Sequence, residues 1–385
     1  MTRVAILGID GYLGWPLAVH LSKKGYEVSG CDDLIRRRLV FEVGSNSATQ
    51  IKNWSDRYCA LHELNKGHDS VFKKFNITNY KELKDFLKEA QPDAIVHFAQ
   101  MPSAPYSMKG VREAVFTHIN NVIGNLNLIF AMREVCPEAH LVKLGSMGEY
   151  GTPNIDISEG NFEVEYNGRK DSLPYPKQPG SFYHCTKVHD SVNLQMACRF
   201  WGLKATDIMQ GVVFGVSIPA MEGDAGLMTR FDFDECFGTA INRFCAQAVI
   251  GEPITPYGRG GQNRGFLPLQ DSINCINLII DHPPEKGEYR VINQFEDVYN
   301  LFALALMVEK VAKGLGISAR VVPVDNPRIE QEGHYYNPVH KKLLELGYSP
   351  ASNIEFEVSK TMRILEECKE RILRCKKAIA PKTQW

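Results

Sequence analysis

Val4-Ala5-Ile6-Leu7-Gly8-Ile9-Asp10-Gly11-Tyr12-Leu13-Gly14 is the stretch that decides the fold. Arg3–Gly8 reads as a buried strand ending in glycine. Gly11–Lys24 reads as a helix with Leu13, Leu17, Ala18 and Leu21 on one face. The glycines between them are spaced G-x-x-G-x-x-G. In such a turn the first glycine permits the sharp bend, the second admits a pyrophosphate to the backbone, and the third lets helix and strand pack closely. The helix start adds free N–H groups and a positive dipole end. Glu27–Cys31 reads as the second strand, and Asp32 stands 18 residues after Gly14, where a carboxylate accepts from the adenine-ribose hydroxyls. Asp32 and Asp33 repel a 2′-phosphate and favour NAD over NADP. Arg36 and Arg37 read either as acceptors of that phosphate or as a solvated basic turn.

Outward from this turn the chain alternates. Strands are expected at Val71–Phe75, Ala94–Phe98, His140–Gly145 and Lys204–Ile208, and helices at Tyr80–Glu89 (behind an Asn79 cap), Val111–Cys136 and Tyr183–Trp201. The stretch from Arg36 to about Asp69 reads as polar and irregular, and Gly148–Gly180 as loop with room for one hairpin. The alternation predicts an α/β fold with a doubly wound parallel Rossmann sheet. After about residue 215 short strands (Ile254–Tyr257, Tyr289–Asn293, Arg320–Val324) mix with helices (Thr239–Val249, Leu301–Lys313, Pro338–Leu346). We therefore expect a dinucleotide-binding domain over 1–215, a smaller C-terminal α/β substrate-binding lobe over 216–350 intertwined with it, and a helical tail over 351–385.

Composition agrees with an ordinary globular chain. The 385 residues carry 44 basic and 45 acidic side chains and are 44% apolar. A net charge of −1 offers no attraction to nucleic acid or anionic membrane. No run of about 18 uncharged apolar residues exists to span a bilayer. The 10 cysteines include no C-x-x-C pair and no zinc spacing, so no metal is expected. Reduced, buried thiols are expected, which points to the cytosol.

Three distant residues suggest chemistry. Ser146 follows the strand His140–Gly145. Tyr183 and Lys187 have Y-x-x-x-K spacing, one helical turn apart on one face. A phenol with a pKa near 10 is a poor base at pH 7 unless a nearby cation favours phenolate, and a lysine one turn away supplies one. A serine can orient the substrate oxygen while a hydride passes to or from a nicotinamide. His97 reads as a core histidine. His184 is a possible second acid/base.

With these features the chain resembles the extended short-chain dehydrogenase/reductases that act on nucleotide sugars, and within them the branch that forms UDP-sulfoquinovose. The stretches that carry the resemblance are SAPYSM (Ser103–Met108), NNVIG (Asn120–Gly124), LVKLGSMGEYGTPNID (Leu141–Asp156), LPYPKQ (Leu173–Gln178), SFYH (Ser181–His184), QGVV (Gln210–Val213), FGTA (Phe237–Ala240), NRFC (Asn242–Cys245), NPR (Asn326–Arg328) and HYYN (His334–Asn337). The resemblance implies NAD-dependent oxidation of UDP-glucose at C4, loss of water across C5–C6, addition of sulfite at C6, and return of the hydride.

It also implies site residues. Ser146, Tyr183 and Lys187 serve the C4 steps, and Met147, Glu149 and His184 line the C5–C6 end. The group that takes the C5 proton is left open. Expected dinucleotide contacts are Gly8, Asp10, Gly11, Tyr12, Gly14, Asp32, Asp33, Arg36, Arg37, Asn76, Ile77, Phe98, Ala99, Gln100, Asn121, Leu144, Tyr183, Lys187, Gln210 and Val213. Expected UDP-sugar contacts are Ser103, Tyr106, Ser146, Gln210, Thr239, Asn242, Arg243, Thr255, Tyr257, Arg264 and Arg328. The arginines suit a diphosphate because their fork pairs bidentately with its oxygens. The family habit of pairing through two helices, here 111–135 and 183–201, implies a homodimer or a higher homo-oligomer.

Four positions depart from the family pattern. Pro102 stands where the family has an arginine that could help capture sulfite. Ser146 replaces a threonine, Asn76 an aspartate, and Ile9 a glycine; residues 217–230 also diverge. The competing readings are a UDP-sugar 4-epimerase, a 4,6-dehydratase, or a non-catalytic NAD sensor. Dehydratases carry an Asp-Glu pair after the strand-end hydroxyl, and here Met147-Gly148 follows.

Overall fold

Short strands whose residues are apolar on both faces need covering on both sides, and the fold supplies that cover with helices. The computed structural model describes residues 1–329 and 333–384; Trp385, the end of the expected tail, lies outside them. Among the described residues the strands are β1 (Arg3–Leu7), β2 (Glu27–Asp32), β3 (Phe72–Lys74), β4 (Ala94–His97), β5 (His140–Leu144), β6 (Asn161–Tyr166), β7 (Arg169–Pro174), β8 (Lys204–Gln210), β9 (Val212–Phe214), β10 (Asn263–Pro268), β11 (Tyr289–Gln294) and β12 (Asp297–Asn300). Seven form one sheet in the order β11-β8-β5-β4-β1-β2-β3, and every neighbouring pair is parallel. This is the doubly wound α/β sheet. From β1 the chain winds toward β3, and from β4 toward β11. The crevice between the ends of β1 and β4 is therefore the switch point where such sheets bind ligands.

Local sequence explains the covering helices. Tyr80–Ala90 buries Leu83, Phe86, Leu87 and Ala90, spaced i, i+3, i+4, i+7. Asn79 caps it by accepting from the Glu82 N–H, and Gln91 ends it with a φ of 40°. Each of the larger buried side chains contributes about 1.5–3 kcal/mol.

The structure corrects several expectations. The irregular stretch contains two helices, Ile35–Glu42 and Trp54–Leu64. The second starts at an Asn53 cap. The first is held by distant partners, since Leu39 and Val40 pack on Met101, Tyr106, Cys236 and Phe237, and no local apolar pattern announces that contact. The expected helix 111–136 carries a π turn at Ile119–Ile123, which turns both Asn120 and Asn121 inward. The single hairpin forms as β6–β7 around Asn167-Gly168, whose φ values of 50° and 73° are what a two-residue turn of this kind requires.

One strand lies across the boundary expected at 215. β11 was assigned to the second lobe, yet it pairs with β8 at the edge of the main sheet. A cut at 215 is thus a cut in sequence and not in space. The smaller sheet is β12-β10-β9. Ile254–Tyr257 and Arg320–Val324 meet only through the bridges Ile254–Val321 and Tyr257–Val324. The tail helix Ile354–Glu367 inserts Val358, Met362 and Leu365 beside Phe244, Phe266 and Val308, forming a second core under the small sheet.

All 10 cysteines are free, six of them buried. Among the described residues no helix is long and apolar enough to cross a membrane.

Candidate active site

Two cavities open at the carboxyl ends of the strands. The smaller, about 340 Å³, runs from the glycine turn to Ser146. The larger, about 630 Å³, lies between the main sheet and the second lobe. They share Pro102, Ser146, Tyr183, Gln210, Phe237 and Thr239 in their walls, so they are two arms of one cleft that meet at the serine and the tyrosine.

The smaller arm is built by backbone. Gly8 has a φ of 86°, and a Cβ on it would lie 2.7 Å from Ala99 N, so β1 and β4 can end side by side only with glycine there. A Cβ on Gly14 would sit 2.1 Å from Gly8 O. The helix Gly14–Lys23 thus begins directly against the turn, with Gly14 itself in the wall of the arm. Gly11, Tyr12, Asp32, Asp33, Arg36, Asn76, Ile77, Phe98, Ala99, Gln100, Leu144 and Val213 also line this arm. The cradle suits a dinucleotide: a bare helix start for the pyrophosphate, a carboxylate at the end of β2 for the ribose, and an apolar slot for the base. Asp32 accepts from the Asp10 and Leu34 N–H groups at 2.9 and 2.7 Å. Burial, with Asp10 beside it, pushes its carboxyl up to about 7.

Four expected contacts do not line this arm; one is Lys187, buried behind the wall on Gln100 and the Leu144 carbonyl. The Asp10 carboxylate faces the protein and is taken by Arg37 and Arg57 at 2.7 and 2.8 Å. Arg37 is withdrawn with it. Asn121 is fully buried, accepting from the Met101 N–H and donating to Thr186, and its neighbour Asn120 lines the arm instead. Arg57, 1% exposed and stacked 4.2 Å over Trp15, is the residue the sequence did not reveal. Arg36 stays in the wall but is forked onto Asp232 at 2.8–3.0 Å. Asp32 therefore faces the arm while both arginines are committed elsewhere, an arrangement that suits a free 2′-hydroxyl.

At the seam, Lys187 Nζ sits 5.6 Å from the centre of the Tyr183 ring. It donates to Gln100 Oε1 and, at 2.5 Å, to the Leu144 carbonyl. Burial, and then the nearby Lys143, pull its ammonium down to about 8. Tyr183 is pushed well above the ordinary phenol value, first by burial and then by the Glu149 charge. His184 holds Ser181 Oγ through Nδ1 at 2.9 Å. Its Nε2 packs against Gly148, where a Cβ would come within 2.2 Å. Burial and the cations Arg328 and Arg264 pull it down to about 3, so it is neutral. Met147 lines the larger arm. Glu149 does not: it is fully buried beneath Ser146 and paired to Lys177 at 2.6 Å.

The larger arm is built by side chains from far apart. Ser103, Thr239, Arg243, Tyr257, Arg264 and Arg328 line it. Arg243 donates to the Tyr257 hydroxyl and stacks 4.1 Å over that ring, while its Nε finds no partner among the described residues. Three expected contacts are elsewhere. Tyr106 packs between Phe116 and Phe237. Asn242 accepts from the Gly215 N–H. Thr255 pairs with Gln247. Their polar groups are spent on shaping the wall. Unforeseen wall residues are Tyr336, Glu235, Pro381 and Thr383. Glu235 accepts from the Lys382 and Thr383 N–H groups and so straps the tail to the arm.

The chain is similar along its whole length to known proteins. UDP-sulfoquinovose synthase from Sulfolobus acidocaldarius is 46% identical over all of this chain and 97% of its own length. The chloroplastic UDP-sulfoquinovose synthase of Spinacia oleracea is 45% identical over all of this chain and 79% of its own. Among solved structures, UDP-glucuronic acid 4-epimerase from Bacillus cereus, crystallised with UDP-glucuronic acid and NAD, superposes with a TM-score of 0.69 at 18% identity, covering 94% of this chain and 99% of that one. An epimerase from Methanothermobacter thermautotrophicus gives 0.70 at 18%, covering 97% and 94%. The model of the NAD dependent epimerase/dehydratase family matches residues 4–294. The chain belongs to that family.

Proposed function

We propose that the chain is an NAD-dependent nucleotide-sugar enzyme that makes UDP-sulfoquinovose from UDP-glucose and sulfite. The observation that carries this reading is full-length identity of 45–46% to two UDP-sulfoquinovose synthases from a plant and an archaeon. The cleft gives it a physical basis, because a dinucleotide arm and a nucleotide-sugar arm meet at Ser146 and Tyr183.

In this reading the sugar C4 lies at that seam. Ser146 Oγ orients the C4 hydroxyl, and Tyr183 Oη takes its proton. Bound NAD+ supplies the hydride acceptor and a positive ring that favours the phenolate. Lys187 Nζ adds a second cation one turn below. Oxidation acidifies the C5 proton, and water leaves across C5–C6. His184, neutral and held through Nδ1 by Ser181, shapes the wall there, and the C5 proton departs with the C6 hydroxyl as water. Sulfite then adds at C6, C5 regains a proton, and the hydride taken from C4 returns there as Tyr183 gives its proton back to the C4 oxygen. Arg243, Arg264 and Arg328 hold the diphosphate and draw anions into the arm. With Pro102 in place of an arginine, the cations left in the wall for sulfite are these same residues.

The geometry favours this over a 4,6-dehydratase. The Asp-Glu pair of that reaction would fall at Met147 and Gly148; Met147 carries no acid, and a side chain on Gly148 would meet the His184 ring. Exposed apolar residues also recur along two neighbouring helices, Val111, Val115 and Ile119 on one and Val192, Met196 and Phe200 on the other. We read them as the face of a homodimer, and the cytosol as the compartment.

The test is mass spectrometry of the UDP-sugar after incubation with and without sulfite. A sulfite-dependent product with a carbon–sulfur bond is expected. A neutral isomer or free keto-sugar in both arms would overturn the reading.

A further inference from the structure

Beneath the seam lies a cluster of buried charges. Lys143, Glu149, Asp190 and Asp207 are all 0% exposed. Such a cluster costs desolvation that apolar residues would avoid, so its retention asks for a role. Its contacts point to one. Glu149 Oε1 accepts from the Ser146 N–H at 3.0 Å, and Oε2 accepts from Lys177 at 2.6 Å and lies 3.1 Å from Ser191 Oγ. Lys143 Nζ, 3.5 Å from the same carboxylate, donates to the Lys187 carbonyl at 3.2 Å and pairs with Asp207 at 3.1 Å. Asp207 also accepts from Ser191 at 2.6 Å. Ser191 is one turn beyond Lys187, which is one turn beyond Tyr183, all on one helix face.

We propose that Glu149 is a positioning residue: its buried carboxylate ties Ser146 on the strand end to the helix that carries Tyr183 and Lys187, and balances the charge around them, without exchanging a proton with substrate. This rests on the reading above and reassigns one of its residues. Fully enclosed, the carboxylate has no face on the larger arm. Burial would raise its carboxyl, but Lys143 and Lys177 outweigh burial and hold it at about 2, an unfit state for accepting a proton. The groups facing Lys187 are Lys143, Asp190, Glu149 and Asp207, with His97 and His184 nearby. Those facing Tyr183 are Glu149, Lys143, Asp190 and Arg36.

The experiment separates C4 oxidation from elimination. Reduction of bound NAD+ by UDP-glucose is followed by NADH absorbance in a single turnover, and C5 exchange by deuterium uptake. Glu149→Gln should slow NADH formation about a hundredfold, as misplaced reacting groups do, with NAD affinity by calorimetry unchanged. The acid limb of its pH profile should move down by about one unit, because a negative charge beside Tyr183 is gone. Lys177→Gln, a milder change at the cluster's edge, should move that limb up. The double variant Glu149→Gln/Lys177→Gln, with charge restored, should return the limb to its wild-type position. Normal NADH formation with lost C5 exchange in Glu149→Gln would make Glu149 the C5 base and overturn the proposal. So would limbs that do not move in the Lys177→Gln variant. C4 oxidation is common to sulfoquinovose formation, epimerisation and dehydration. A failure to incorporate sulfite would therefore sink the functional reading and still leave this test readable.

Discussion

The two arms of the cleft are made differently. The dinucleotide arm is shaped by main chain: glycines at 8, 11 and 14, a helix start, and two strand ends that touch. The sugar arm is shaped by side chains that arrive from residues 103, 243, 264, 328 and 383. A main-chain site tolerates almost no change at its glycines and many changes around them. A side-chain site loses affinity contact by contact. One family can therefore keep its cofactor and vary its substrate.

The sharpest way to break this contrast is at Gly14. Gly14→Val puts carbon 2.1 Å from Gly8 O, so the turn must move. We expect loss of NAD binding by calorimetry and about 3 kcal/mol of stability by urea unfolding. Intact NAD affinity would show that the arm is not main-chain built. Next comes the seam, which belongs to both arms. Tyr183→Phe should cut turnover about a thousandfold in a coupled assay while NAD remains bound. Arg243→Ala tests the other arm. UDP-glucose KM should rise by about a hundredfold, the cost of a charge-assisted contact, with NAD affinity untouched. A matching loss of NAD affinity would mean that the arms are not separable.

The smallest effect is one of pH. The Asp32 carboxyl, pushed up to about 7 by burial and Asp10, is ionised above that pH and protonated below it. An ionised acceptor binds ribose hydroxyls more strongly, so NAD affinity should fall about tenfold from pH 8 to pH 6, and Asp32→Asn should flatten the curve. UDP-glucose affinity should stay level over the same range, because His184 takes up its proton only near 3. Calorimetry at several pH values reads both.

The same contrast governs what could be read from the chain. The glycine turn, Asp32 and the Y-x-x-x-K pair are legible because their chemistry needs fixed local spacing. The alternation of elements gave the parallel sheet for the same reason. Asp10 misleads, since the partner that claims it, Arg57, lies 47 residues away and no pattern links them. β11 reads as part of the second lobe because a buried edge strand looks alike in either sheet. Tyr106, Asn242 and Thr255 sit in recognisable stretches, yet their polar groups serve the wall. Glu149 lies three residues from Ser146, but only burial reveals that it is turned from the cavity.

The strap from Glu235 to Lys382 and Thr383 has a consequence for synthesis. Thr383 follows Tyr183 by 200 residues. A growing polypeptide on the ribosome has the glycine turn, Ser146, Tyr183 and Lys187 outside the exit tunnel long before the wall of the sugar arm can be finished. Cofactor capture can precede the synthesis of Lys382 and Thr383, and a finished sugar arm must wait for them.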